Sequence, residues 1–188
     1  MESHALASLK NHFLLAMPCL QDSIFAHSLT YIFDHNEHGA SGLVINRPLD
    51  LTLADIFSQL ELESASACAA QPVLVGGPVA MERGFVLHRT GASWRSTLDV
   101  SADVSLTTSS DVLAAMARDE GPDEALVTIG YAGWGADQLE QELADNAWLT
   151  IPADAHIIFS TPFEQRAAVA ARKLGFDINL MTADAGHA

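Results

Sequence analysis

The chain has 188 residues, 49% of them hydrophobic and 18% charged, which suits one domain with a buried core and excludes general disorder. Nine basic against 24 acidic residues leave a formal charge of −15, a field that repels phosphate backbones, so direct nucleic-acid binding is not expected. The longest uncharged apolar stretches, Phe13 to Leu20 and Ile24 to Phe33, fall short of the ~20 residues that a membrane-spanning helix needs.

The start, Met-Glu-Ser-His with Lys10 as the only early cation, lacks the basic region of a signal peptide, so a cytoplasmic protein is expected. Cys19 and Cys68 have no spacing that implies a zinc site or a redox pair, and read as separate free thiols.

In chain order, Phe13 to Met17 reads as a buried strand that ends at Pro18. Leu29, Tyr31 and Phe33 alternate along a β-rich run, the polar segment from Asp34 to Gly39 reads as a turn, and Gly42 to Asn46 returns as a second strand. Pro48 stops this hairpin. Thr52 caps a helix whose apolar positions Leu53, Ile56, Phe57 and Leu60 keep helical spacing. Residues 61–71 read as a loop, Val73 to Val75 as a short strand before Gly76-Gly77-Pro78, and Phe85 to His88 as another strand. Two weaker strands follow near Leu98 to Val100 and Val104 to Thr107. A helix capped by Ser109 or Ser110 runs through Arg118 with Val112, Leu113 and Met116 inward.

Ala125 to Gly130 reads as a strand, and Asp137 with Glu140 resembles a capping box for the next helix. Ile157 to Phe159 reads as a buried strand. Thr161-Pro162 with Glu164 reads as the start of a helix that ends at Gly175. Strands that meander early and alternate with helices later argue for an α+β arrangement in a single domain spanning 1–188.

The most informative stretch is Gly130-Tyr131-Ala132-Gly133-Trp134-Gly135. Three glycines in six residues point to unusual dihedrals or close backbone approach. Tyr131 and Trp134, each rigid with one polar tip, suit a recognition surface as well as a packed corner. Arg47, at a strand end in a chain poor in cations, reads as an ion-pair anchor or as an anion contact.

Asp34, His35, Glu37 and His38 offer metal-ligand types, but their composition is that of a solvated turn. Gly76-Gly77-Pro78 lacks the lysine and hydroxyl of a P-loop, and the glycines of 130–135 run in the wrong order for a dinucleotide fingerprint. No nucleophile, base and acid stand out together. Neither a metal nor another cofactor is expected.

These residues carry a resemblance. Pro18, Asp22 and Phe25; His35, Asn36, Gly39, Ala40 and the run Gly42 to Pro48; Gly76 to Val79; Gly130 to Gly135 with Gln138 to Glu142; and Asn146 to Trp148 together are similar to the bacterial AlgH/YqgE family, in order, from about Phe13 to Phe176. Ser23 stands where the pattern suggests proline, and Cys19 matches no cysteine of the pattern. The resemblance implies one α+β domain with flexible termini and a branched, largely antiparallel, partly barrel-like mixed sheet surrounded by helices. It also implies a cytoplasmic protein of unsettled biochemical activity, with a regulatory role attached to the family name.

The functional expectation is a non-catalytic binding or regulatory protein, acting indirectly on transcription or on a pathway. It would present Asn46, Arg47, Gly76, Gly77, Tyr131 and Trp134 to a protein partner or a small ligand, with no membrane contact. The alternative is a small enzyme acting on an anionic or metal-bound substrate around Asp22, His35 and Asn46, with Glu140 as a further candidate.

Overall fold

The computed structural model describes residues 7–63 and 65–181. Its strands are β1 (His12–Ala16), β2 (Leu29–Asn36), β3 (Gly39–Val44), β4 (Pro48–Thr52), β5 (Pro72–Val75), β6 (Val79–Arg89), β7 (Thr97–Asp99), β8 (Val104–Thr107), β9 (Ala125–Gly135) and β10 (Trp148–Pro152). The helices are α1 (Leu53–Gln59), α2 (Asp111–Ala117), α3 (Gln138–Ala144), α4 (Ala155–Phe159), α5 (Arg166–Arg172) and α6 (Ile178–Met181), with a 3-10 turn at Pro18–Leu20.

The expected fold class is present: a mixed α+β architecture in which a curled, mainly antiparallel sheet forms a half-barrel surrounded by helices. The path runs β10-β1-β2-β3-β9-β6-β8-β7, and β4 and β5 branch from it. The branch lies on β9. Its first half pairs antiparallel with β6 (Phe85↔Thr128, Leu87↔Leu126) and parallel with β5 (Leu74↔Thr128), and its second half pairs with β3 (Ala40↔Trp134, Gly42↔Ala132). One long strand thus meets three neighbours. The glycine-aromatic stretch is therefore strand, not loop, and it continues the strand expected to stop at Gly130.

Three apolar clusters hold the helices to the sheet. Leu53 and Phe57 of α1 and Val112, Leu113 and Met116 of α2 bury against Val73, Val86 and Val127. Ile157 and Ile158 of α4 and Ala167, Ala170 and Ala171 of α5 pack on Phe13, Leu15, Leu43 and Leu87. Leu139 of α3 joins Leu14, Ile32, Ala132, Trp134 and Trp148. Each fully buried Leu, Ile, Val or Phe among these contributes ~1.5–3 kcal/mol.

Local signals explain several elements. α1 starts with a reciprocal capping box, Asp55 Oδ2 accepting from Thr52 N at 2.8 Å. Pro48 opens β4 instead of ending the region, which proline tolerates at the first position of an edge strand. Ile157–Phe159, expected as a strand, lies in α4. Three apolar residues cannot set a period, and Asp154 Oδ1 accepting from His156 N at 2.9 Å caps a helix there.

Thr161 does not cap α5. Its hydroxyl donates to His156 O at 3.3 Å, and the helix begins only at Arg166. Asp137 precedes α3 in a left-handed conformation, φ 63°, without a side-chain cap bond, because a capping carboxylate needs extended backbone at that position. Gln138 Oε1 takes the Gly135 N–H instead, at 3.0 Å. The expectation of flexible termini falls mainly on residues outside those described.

Candidate functional site: an apolar groove beside Arg47

The segment between the 3-10 turn and β2 has no regular structure and is held from below by side chains. Asn46 bridges it to β2, its Oδ1 accepting from Leu29 N and its Nδ2 donating to His27 O, both at 2.9 Å. Arg47 then forks onto the same segment, with Nη2 donating to Ala26 O at 2.6 Å and Nη1 to Ile24 O. Ser23 Oγ donates to Leu20 O at 2.8 Å and accepts from Phe25 N at 3.1 Å, doing locally what proline's fixed φ would do there.

Across from this segment stands Gly76-Gly77-Pro78. A Cβ on Gly77 would run into the Tyr131 backbone, and one on Gly130 would run into Gly77 O and lie 2.8 Å from Met81 Sδ. Gly77 and Gly130 also hold φ of +155° and +72°. Only glycine permits this interlock of two backbones at the branch of the sheet. Between the two walls lies a cleft of about 330 Å³, lined by Ile24, Phe25 and Arg47 on one side and Val75, Gly77, Pro78 and Met81 on the other, with Val44. Ile24 is 58% exposed and Met81 45%, and Val79, two residues from Met81 along β6, is 38% exposed. Among the described residues no carboxylate lies within 4.0 Å of the Arg47 guanidinium.

The structure brings the sequence-selected residues together, with different roles. Arg47 and Gly77 line the groove, Asn46 fastens its irregular wall to the sheet, and Gly76 is buried behind it. Arg47 holds loop carbonyls and, among the described residues, makes no ion pair. Tyr131 is half-buried with its ring edge-on to Phe85 at 5.6 Å.

Trp134 is 6% exposed and takes the packed-corner role. It stacks on Phe25 at 6.2 Å and meets Trp148 edge-on at 5.8 Å. Glu142 Oε2 accepts from both indoles, at 2.9 Å from Trp134 Nε1 and 2.7 Å from Trp148 Nε1. The tryptophans therefore support the groove from behind, through Phe25. Ile24, Phe25, Pro78 and Met81 were not singled out as groove-forming, since nothing local marks residues so far apart as neighbours.

The residues of the enzyme alternative do not converge. His35 Nδ1 accepts from Leu9 N at 2.9 Å, so the ring proton is on Nε2, which donates to Glu140 Oε1 at 2.7 Å. That pair fastens the segment before β1 and α3 to the Asn36 end of β2, whereas Asn46 contacts Leu29 at the other end. Six residues of strand separate them by ~20 Å. Asp22 is exposed, and Glu37 and His38 are both 86% exposed. Among the described residues no group of three or more His, Cys, Asp and Glu side chains is placed to hold a metal ion. Both cysteines are free thiols.

A fully buried histidine escaped the sequence reading. His88 Nδ1 donates to Arg89 O at 2.8 Å, so Nε2 accepts from Thr107 Oγ1, also at 2.8 Å. Thr107 Oγ1 then accepts from Thr97 Oγ1 at 2.8 Å, and Thr97 from Trp94 N at 2.8 Å. Burial pushes the imidazole below its ordinary value, outweighing the opposite pulls of Arg89 O and Asp99, and this favours the neutral ring that the acceptor role of Nε2 requires. It is a structural polar thread linking β6, β7 and β8, remote from the groove's lining.

Comparison with known families decides the chain's kinship: the family model described as AlgH-like matches residues 13–179. The chain belongs to the AlgH-like family. Similar relatives include a UPF0301 protein of Saccharophagus degradans, 58% identical over 96% of this chain and 89% of that protein, and one of Thioalkalivibrio sulfidiphilus, 55% identical over 98% and 99%. The solution structure of the AlgH protein from Pseudomonas aeruginosa superposes with a TM-score of 0.81 at 50% identity, covering 100% of both chains. A protein of Corynebacterium diphtheriae shares the fold alone, with a TM-score of 0.71 at 18% identity over 96% of this chain and 94% of that one. The AlgH-like family is one of unsettled biochemical function, so kinship supplies no reaction, and the working surface has to be read from geometry. Among the described residues no helix is long and apolar enough to cross a membrane.

Proposed function

We propose that the protein is a non-catalytic binding protein whose working surface is the groove between Ile24 and Met81. The groove takes an apolar anchor from a protein partner that carries an acidic group beside it. The observation that carries this reading is the rim. Three exposed apolar side chains, Ile24, Val79 and Met81, lie on or beside an apolar cleft lined by one cation, Arg47, which has no carboxylate partner among the described residues. Exposed apolar surface with a polar edge is characteristic of interaction sites, and methionine adapts its shape to a partner. An unpaired guanidinium complements a carboxylate in two hydrogen bonds and adds selectivity. Regulation of a pathway through such a contact, within the cytoplasm, agrees with a chain whose overall charge disfavours direct contact with nucleic acid.

The test uses Ile24→Glu and Met81→Glu, both at exposed positions where the fold tolerates a carboxylate. Affinity capture from an extract of the source organism, quantified against the native chain, is expected to show a protein retained by the native chain and lost from both variants. Equal recovery of every partner by the native chain and by two folded variants overturns the reading.

A further inference from the structure

A second cleft, of about 340 Å³, lies on the other face of β5: Leu74 lines it, whereas its neighbour Val75 lines the groove. The two clefts share no lining residue. Its walls are mainly apolar, with Leu74, Leu126, Phe159 and Phe163 beside the polar Ser160 and Thr161. Set among them is Arg166, the first residue of α5, only 5% exposed.

Its guanidinium is incompletely satisfied. Nε donates to Thr161 O at 3.0 Å and Nη1 donates to Ile45 O, both neutral carbonyls. Among the described residues Nη2 has no hydrogen-bond partner, and no carboxylate lies within 4.0 Å of the group. Burial pushes the guanidinium down to about 10, and the field of exposed Glu164 only partly offsets this. The unpartnered Nη2 remains reachable from the cleft, so a cation with free N–H groups beside apolar side chains complements an anion there.

We infer that this cleft binds a small organic carboxylate with an aromatic or apolar body, the carboxylate meeting the free N–H groups of Arg166 and the body lying against Phe159, Phe163 and Leu126. The volume is at the lower end of ligand sites, which suits a small molecule. One guanidinium matches one negative charge, and its planar fork matches a carboxylate. A phosphate dianion is disfavoured by the field of Glu164, whereas Glu124, which accepts from Ser160 Oγ at 3.5 Å, is neutralised by its ion pair with Arg89 at 2.6 Å.

The test is a titration of isotope-labelled protein with 1-naphthoate and with its neutral counterpart 1-naphthamide. It follows the Arg166 Nε–H resonance and the backbone amides of residues 159–161 and 163–166. The expected result is saturable shifts with naphthoate and affinity for naphthamide weaker by at least about tenfold, as the loss of a hydrogen bond to a charged group implies. Because Arg166 also holds Ile45 O, the blocking variant is Ser160→Trp, at an exposed position, which fills the cleft while leaving the bonds of Arg166 in place. Binding of naphthoate is expected to be lost in that variant. Absence of saturable shifts, equal affinity for the two probes, or binding that survives in Ser160→Trp overturns the assignment. Shifts confined to Ile24, Arg47 and Met81 overturn it too, by placing the probe in the groove.

Discussion

The load on Glu142 gives a quantitative test of the claim that the glycine-aromatic stretch is a structural knot. Its carboxylate takes three donors: Trp134 Nε1 at 2.9 Å, Trp148 Nε1 at 2.7 Å and Gln138 Nε2 at 3.0 Å. Glu142→Ala leaves two indole N–H groups without an acceptor, on residues only 6% and 5% exposed. One orphaned buried donor costs ~1–3 kcal/mol, so two bracket ~2–6 kcal/mol. Glu142 is half-exposed and water can enter the gap, which places the expected loss in the lower half of that range, about 3 kcal/mol. For a domain of this size such a loss lowers Tm by roughly 6–12 °C. Gln138→Ala removes two exposed hydrogen bonds, one to Glu142 and one from Gly135 N, and should cost at most about 1 kcal/mol. Urea unfolding followed by tryptophan fluorescence and circular dichroism measures both variants. A Glu142→Ala protein within about 0.5 kcal/mol of the native one would refute the reasoning, because the two indoles would then not depend on this carboxylate.

Two further outcomes are expected. Because burial lowers the affinity of His88 for a proton, the unfolded chain binds a proton below about pH 6.5 that the folded chain refuses; stability is therefore full above that pH and falls as pH drops through 6, by at most ~1.4 kcal/mol per pH unit. His88→Gln, which cannot titrate, should flatten this dependence; urea midpoints between about pH 7.5 and pH 5 that fall equally in both proteins would show that another group is responsible. Gly77 and Gly91 hold nearly the same φ, +155° and +156°, but a Cβ at Gly77 meets the Tyr131 backbone whereas one at Gly91 meets nothing within 4 Å. Gly91→Ala should cost only backbone strain, ~1 kcal/mol, and Gly77→Ala an additional ~1–3 kcal/mol of overpacking; equal losses in thermal melts would disprove the interlock.

The sites were only partly legible. Arg47 stood out because cations are scarce in this chain, and Gly76 and Gly77 because paired glycines before a proline need a backbone reason. Arg166 gave no signal: it reads as an ordinary arginine at the start of an alanine-rich helix, and its isolation depends on Ile45, 121 positions away. His88 was equally silent, since its hydrogen-bond partners Thr107 and Arg89 come together only when β6 and β8 pair. His35 drew attention for its chemistry, yet its partners Leu9 and Glu140 are 26 and 105 positions away and make it a fastener.

What the sequence determined by itself is the set of elements whose cause is local. The β2–β3 hairpin follows from alternation around a polar turn, although the turn is only Glu37–His38 and Asp34–Asn36, read as turn, extend β2. α1 follows from a capping residue before apolar residues at helical spacing, and the inward face of α2 from Val112, Leu113 and Met116. The tertiary structure decided what depends on distant neighbours. β10 exists because β1 offers an edge to Trp148–Pro152, and β9 continues through three glycines because β3, β5 and β6 must all approach it closely. The same close approach turns Trp134 inward and leaves Ile24 and Met81 outside. Local propensity acts over a few residues, whereas burial and backbone contact are settled only when the remote strands of the sheet have met.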